Sequence, residues 1–258
     1  MNIYVLMKST FDTEEKIFVT DGHIDDDGVE RIINPYDEYA IEEAIVLRDQ
    51  HGGSVTVVTV GDDESEKQLR TALAMGADQA VLINTEEDDI KVVDPSMTVE
   101  LLTAYLKDQE VDIILAGNVA IDGASGQVGP RLADRLDIAC VTTITKIAID
   151  GDRAEIERDV EGDTEIVEAS LPLLVTCQQG LNEPRYPSLP GIMKAKKKPL
   201  EKLDLDDLEL DEDDITAKTK TLEVFLPPER QAGKVLEGEI NDQVIELVNL
   251  LKSEAKVL

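Results

Sequence analysis

"VDIILAGNVAIDGASGQVGPRLADRL", Val111 to Leu136, is the stretch that decides the fold. Val111 to Leu115 is an apolar, buried-type strand. Gly117, Gly123, Gly126 and Gly129 then punctuate the lead into a helix whose inner face is Val128, Leu132 and Leu136. A strand feeding a helix through a glycine-rich turn is half of a βαβ unit. Glycines let backbone approach a ligand closely, and a helix start offers unpaired N–H groups with a favourable dipole. In an open parallel sheet such a turn lies at the carboxyl ends of the strands, where ligands bind. The spacing is neither GxGxxG nor a Walker loop with its Lys-Ser/Thr. The loop is therefore a phosphate site or a tight connection. Asp122 at its centre would repel a phosphate it faced, and is read as a helix cap or a ribose acceptor.

The same alternation runs outward from this stretch. Ile3 to Met7 reads as a first buried strand. "INPYDEYAIEEAIVLRDQHGG", Ile33 to Gly53, reads as a helix with Asn34 at the N-cap, Pro35 in the first turn and Asp37 returning the capping bond. Ala40, Ile41, Ala44, Ile45 and Arg48 keep helical spacing until Gly52. "SVTVVTVG" (54–61) is a β-branched strand, "SEKQLRTALAMGA" (65–77) a helix, "QAVLIN" (79–84) a strand and "VELLTAYLKDQ" (99–109) a helix. This rhythm predicts an α/β fold with a parallel sheet. After Cys140 the period drops to two, with Gly151–Asp152 and Gly162–Asp163 as turns. That predicts antiparallel strands, added to the sheet's edge or forming a small second sheet.

Bulk composition narrows the function. The 258 residues carry 56 acidic against 25 basic side chains, a formal charge of −31. Such a field opposes phosphate contacts and speaks against nucleic-acid binding. Aromatics are 3% with no tryptophan, so the core rests on Val, Ile, Leu and Ala. Cys140 and Cys177 form no CxxC, and His23 and His51 lie far apart, so neither a disulfide framework nor a His/Cys metal site is expected. No signal-peptide pattern opens the chain and no apolar run approaches a membrane span; a soluble, cytoplasmic protein is expected. There is no Gly-x-Ser-x-Gly, no HExxH and no Cys with a nearby His, so no catalytic constellation emerges.

The C-terminal quarter differs in composition. "LEKLDLDDLELDEDDI", Leu200 to Ile215, reads as a solvated acidic linker. Beyond Pro227–Pro228, Ile240, Val244, Leu247, Val248 and Leu251 form an apolar stripe at helical spacing. The expected organisation is an α/β domain over 1–199 and a linker with a helical arm over 200–258. "YPSLPGIMKAKKKPL" (186–200) joins them, with Leu189 between two prolines and Lys194, Lys196, Lys197 and Lys198 close behind.

Three segments together resemble the β subunit of the electron transfer flavoproteins: "INPYDEYAIEEA", "AGNVAIDGASGQVGP" and "LPLLVTCQQGLNEPRYPSLPGIMKAKKKP". "RTALAMGAD" is also similar to that family, and the last of the three, Leu171 to Pro199, is the most specific. The resemblance implies an adenine-nucleotide-binding α/β fold like that of universal stress proteins, and an electron carrier rather than an enzyme. It implies an α partner that holds FAD, donors such as acyl-CoA dehydrogenases, and delivery to a membrane quinone oxidoreductase. The β chain of such heterodimers binds AMP. By position that site would comprise Leu6, Asn34, Pro35, Tyr36, Asp37 and Val60. The loop Gly117, Asn118, Val119, Ala120, Ile121 and Asp122, continuing through Gly123, Ala124, Ser125, Gly126, Gln127 and Val128, would complete it.

The resemblance also implies partner contacts. Tyr36 matches an aromatic that faces the α subunit's flavin, with an ordinary helix-start residue as the competing reading. Tyr186, Leu189, Pro190, Ile192, Met193 and Lys194 fall in a recognition loop and helix for dehydrogenases, with Leu189 as the plug. Flanking prolines would cut the entropy lost on docking, and one apolar anchor can carry much of the affinity. Asp159, next to Arg158, matches an acidic residue that bridges to the mobile FAD domain, with cross-strand pairing as the alternative. The C-terminal arm would dock on the α subunit. The "DGASGQVGP" loop is also similar to electron-bifurcating relatives, in which a second FAD replaces AMP. A stand-alone nucleotide-binding stress or signalling domain is a third reading.

Overall fold

A computed structural model of the chain describes residues 1–12, 14–25, 28–86, 93–211, 215–228 and 232–258. They fall into two units, Met1–Ile17 with Asp25–Leu222, and Phe18–Ile24 with Glu223–Leu258. In chain order the first half contains β1 (Asn2–Leu6), β2 (Ser9–Phe11), β3 (Phe18–Thr20), β4 (His23–Asp25), β5 (Arg31–Ile33), α1 (Pro35–His51), β6 (Ser54–Gly61), α2 (Glu66–Met75), β7 (Gln79–Asn84) and α3 (Pro95–Leu106). The second half contains β8 (Ile113–Gly117), α4 (Val128–Leu136), β9 (Ala139–Asp150), β10 (Arg153–Val160), β11 (Asp163–Ser170), β12 (Leu173–Cys177), α5 (Leu189–Ala195), β13 (Leu200–Leu203) and α6 (Ile240–Ser253).

Nine strands of the first unit form one sheet, in the order β11-β10-β9-β12-β8-β1-β6-β7-β13. The pairs from β9 through β13 are parallel, and only β9–β10 and β10–β11 are antiparallel. The antiparallel strands therefore extend the main sheet instead of building a second one. After β10 and β11 the chain returns to the interior, where β12 pairs with both β8 and β9.

Alternation along β1 explains the layers. Ile3, Val5 and Met7 point into a core shared with α1 and α2, including Ile41, Ile45, Leu69 and Leu73. Tyr4 and Leu6 point to the opposite face, packed with Leu101, Leu102 and Leu132 of α3 and α4. Strands buried on both faces need continuous apolar runs, which is what "SVTVVTVG" and "VDIILAG" supply.

The acidic stretch after residue 200 is not a solvated linker. Leu200–Leu203 pairs in parallel with Ala80–Ile83 as β13. Leu205, Leu208 and Ile215 are buried in the α3–α4 core. Glu201, Asp206, Asp207, Glu209 and Asp211 are exposed while Leu205 and Leu208 are buried, and each buried leucine contributes about 2 kcal/mol relative to exposure. Residues 212–214 of this stretch lie outside the described residues.

The second unit holds the β3–β4 hairpin and α6. Within it Lys234 Nζ lies 2.6 Å from Glu246 Oε1. The apolar stripe expected at the C-terminus sits on α6, where Ile240, Val244, Ile245, Leu247 and Val248 are exposed. No described helix is long and apolar enough to cross a membrane.

Candidate functional site

The chain passes from β1 to β6 and β7 on one side, then returns to β8 on the other. Reversal of strand order leaves a crevice at the carboxyl ends of β1, β6 and β8. A cavity of about 1070 Å³ opens there, lined by Leu6, Val58, Val60, Ala116 and Gly117 from the strand ends.

Its floor is organised by two side chains at the start of α1. Asn34 and Asp37 had been expected to make a capping box, and they do something else. Asn34 makes no side-chain cap bond. Its amide nitrogen donates to Asp37 Oδ1 (3.0 Å) and to the Val119 carbonyl (2.9 Å), and its Oδ1 accepts from the Ile121 N–H (3.2 Å). Asp37 Oδ1 also accepts from the Gly117 N–H (3.0 Å), and Oδ2 from the Lys8 N–H (2.7 Å). The pair thus ties the chain after β1, the end of β8 and the glycine loop into one frame. Burial pushes the Asp37 carboxyl up to about 7, against the lowering pull of its hydrogen bonds from Lys8, Asn34 and Gly117.

The glycines divide into two kinds. A Cβ at Gly117 would lie 2.2 Å from Asp37 Oδ1, and one at Gly129 would lie 2.9 Å from Thr176 Cγ2. At these two positions the chain packs too closely on itself to admit a side chain. Gly126 has φ +59, a left-handed conformation that costs glycine little. Asn118, Val119, Ala120, Gly123, Ala124, Ser125, Gly126, Gln127 and Val128 all line the cavity. The N-cap residue of α4, Gln127, makes no side-chain cap bond. The first two residues of α4, Val128 and Gly129, line the cavity, and the first N–H groups of a helix have no intrahelical partner.

The far wall comes from elements whose role sequence reading missed. Gly61 at the end of β6 and Asp62 after it, Thr85 and Glu86 after β7, and Asp94 at the start of α3 line it, with Thr219 and Thr221. Asp94 caps α3 through Met97 N (2.9 Å). Its second oxygen accepts from Lys218 N (2.7 Å), Thr219 N (2.8 Å) and Thr219 Oγ1 (3.0 Å). The rule that ligands bind at strand carboxyl ends was the signal available for the residues after β6 and β7. Nothing in the sequence placed Thr219 there.

Among the residues expected at the site, Pro35, Tyr36, Ile121 and Asp122 do not line the cavity. Asp122 neither caps α4 nor stands alone: its Oδ2 lies 2.6 Å from Lys8 Nζ. Tyr36 is half-buried, with its Cβ against Gly117. Among the described residues no group of three or more His, Cys, Asp or Glu could hold a metal ion.

The proline-flanked tip lies elsewhere. Ser188 caps α5 by accepting from Gly191 N (3.1 Å). Tyr186 is 94% exposed, Leu189 79% and Met193 73%, an apolar group in water. Arg185 precedes it and forks onto Glu42 of α1, with Nε and Nη2 each 2.8 Å from a carboxylate oxygen. Burial pushes the Glu42 carboxyl up, but the bonds and charge of Arg185 outweigh it and leave a net lowering. On β10, Arg158 turns back to Thr142, donating to its carbonyl (3.1 Å) and hydroxyl (2.9 Å). The Asp159 carbonyl accepts from Thr143 Oγ1 (2.8 Å).

Fold and cavity together define an α/β protein with a large cavity at its switch point and an apolar surface tip. The electron transfer flavoprotein domain, as a family, matches residues 21–208. The chain is 67% identical to the electron transfer flavoprotein subunit beta of Bacillus subtilis (strain 168), with both chains covered in full. It is 36% identical to the mitochondrial beta subunit of Oryza sativa subsp. japonica over 100% of each chain. It is also 36% identical to subunit CarD of the caffeyl-CoA reductase-Etf complex of Acetobacterium woodii, over 98% of this chain and 99% of that one. The chain belongs to the electron transfer flavoprotein family, as a β subunit. Membership puts it in flavin-linked electron transfer, as a carrier subunit rather than an enzyme. The reading as a stand-alone stress or signalling domain gives way to it.

Proposed function

We propose that this chain is cytoplasmic and pairs with an α subunit that holds FAD, and that the heterodimer takes electrons from dehydrogenases such as acyl-CoA dehydrogenases and passes them to the respiratory chain through a quinone oxidoreductase. The cavity is the seat of an adenine nucleotide, AMP in the first instance, in a fold like that of universal stress proteins. The observation that carries this is the start of α4, which faces the cavity with no side-chain cap on its first N–H groups. A phosphate there would meet backbone donors and the positive end of the helix. Leu6, Val58, Val60 and Leu102 provide the apolar wall a purine requires.

The exposed tip around Leu189 is the dehydrogenase dock, with Tyr186, Pro190, Ile192, Met193 and Lys194 around it. The exposed stripe of α6 is the surface for the α subunit. Tyr36 toward the partner's flavin and Asp159 toward its FAD domain complete the contacts. The segment from residue 1 to about 199 is the nucleotide-binding and recognition part, and the remainder, from residue 200, leads into the arm.

A second reading has its own support. A cavity of about 1070 Å³ lies just above the roughly 300–1,000 Å³ of ligand pockets, room enough for a dinucleotide. A β subunit of a bifurcating flavoprotein would hold a second FAD there. Co-expression with the α subunit, acid release and counting of nucleotides separates the two. One FAD and one AMP per heterodimer supports the first reading and two FAD the second. A colourless preparation overturns both.

A further inference from the structure

The apolar tip is fastened at both ends to different helices, and the fastening to α2 runs in both directions. At its start the Arg185 fork grips Glu42 of α1, and the Arg185 N–H adds a third bond to Glu42 Oε2 (3.1 Å). Asn182 Nδ2 reaches the Tyr39 carbonyl (3.0 Å) and Glu43 Oε2 (2.9 Å) of the same helix. At its end, Arg70 of α2 donates through Nη1 to the carbonyls of Ala195 (3.1 Å) and Lys198 (3.0 Å). Lys198 answers by placing its ammonium on the carbonyls of Leu73 (3.1 Å) and Ala77 at the end of α2.

The Lys198 ammonium reaches the Leu73 carbonyl in the last turn of α2, where the carbonyls of a helix lack intrahelical partners. A helix of seven residues such as α5 does not persist in water unaided. Contact with α2 is also close: a Cβ at Gly191 would lie 2.5 Å from the Ala74 carbonyl, and Ala195 is buried. Of the four clustered lysines, Lys194, Lys196 and Lys197 are exposed while Lys198 turns inward. The lysine run is therefore divided between surface and frame.

We propose that Glu42, Arg185, Arg70 and Lys198 are positioning residues for electron transfer: they hold the Tyr186–Met193 tip in the shape its partner accepts, so that docking orders no loop. This rests on the reading of the tip as the dehydrogenase dock. A preformed tip lowers the entropic cost of association, so loss of a fastening weakens encounter and leaves the transfer step within the complex intact.

The test uses the flavin-loaded heterodimer as substrate for a donor acyl-CoA dehydrogenase, with KM and kcat measured separately. Arg70→Ala and Glu42→Gln are expected to raise KM about five- to tenfold with kcat within about twofold, and to speed amide exchange over residues 186–195. Arg70→Lys, which keeps a cation in reach of one carbonyl, recovers part of the KM. Should Arg70→Ala prevent folding, Glu42→Gln at the opposite end carries the test alone. Unchanged KM in Glu42→Gln and in any folded Arg70 variant, alongside a raised KM in Leu189→Ala, overturns the positioning role and leaves the dock standing. An unchanged KM in Leu189→Ala removes the dock, and the positioning role with it.

Discussion

Gly117 and Asp37 meet so closely that no side chain fits between them: the Gly117 N–H donates to Asp37 Oδ1 at 3.0 Å, and a Cβ at residue 117 would fall 2.2 Å from that oxygen. The contact joins the end of β8 to the start of α1 beneath the candidate nucleotide cavity. Gly117→Ala must push the two apart and break the bond. A loss of about 2–3 kcal/mol is expected, read as a lower urea midpoint.

Asp37 itself should titrate far from an ordinary carboxyl. Its folded-state value, raised to about 7 by burial, lies above the value near 3.9 of an exposed aspartate. The folded chain therefore binds this proton more tightly than the unfolded chain. The associated stability is fully present below about pH 4 and is lost as pH rises through about 7. Carbon-detected NMR of the Asp37 carboxyl should show a midpoint near neutrality. A midpoint near 4 would contradict this account of the floor.

Asp94 serves two masters, the first turn of α3 and the backbone at Lys218–Thr219. Asp94→Ala should cost about 1–2 kcal/mol through the cap alone. Amide exchange at residues 218 and 219 should quicken in the same variant. Exchange that stays slow there would show that other contacts hold the segment.

The two thiols should behave differently. Cys177 is buried, and burial, with Glu43 and Asp37 nearby, raises its pKa well above the ordinary thiol value. Cys140 is exposed, with a pKa raised by partial burial and pulled back by Arg158. A thiol reagent at neutral pH should label one cysteine slowly in the native chain and two after unfolding.

Much of this architecture was legible because buried parallel strands and amphipathic helices write themselves as distinct periods. The drop to a period of two after Cys140 marked β9 to β11, and the Gly-Asp turns fell at their junctions. What composition concealed was the acidic stretch after residue 200. Counting carboxylates suggests a solvated linker, but alternation of leucine with aspartate is also the pattern of a half-buried surface segment. The partner that decides between them, the free edge of β7, lies over a hundred residues away.

At the candidate site the residues were legible and their roles were not. Asn34 and Asp37 stand at capping spacing, yet both side chains bond to the glycine loop and the strand ends because the fold brings those groups nearer. Local spacing reports which bonds are possible within a segment, and tertiary structure chooses among them. Lys198 is the same lesson in a charge run: three neighbours face water and one caps α2.

The acidity acquires a use at the open margin of the sheet. β11 is a terminal strand, and it carries Asp163, Glu165 and Glu168 within eight residues. Unpaired strand margins invite stacking with another copy. Two such margins brought together would align carboxylates against carboxylates, so the strand's own charge opposes a second copy zipping onto it.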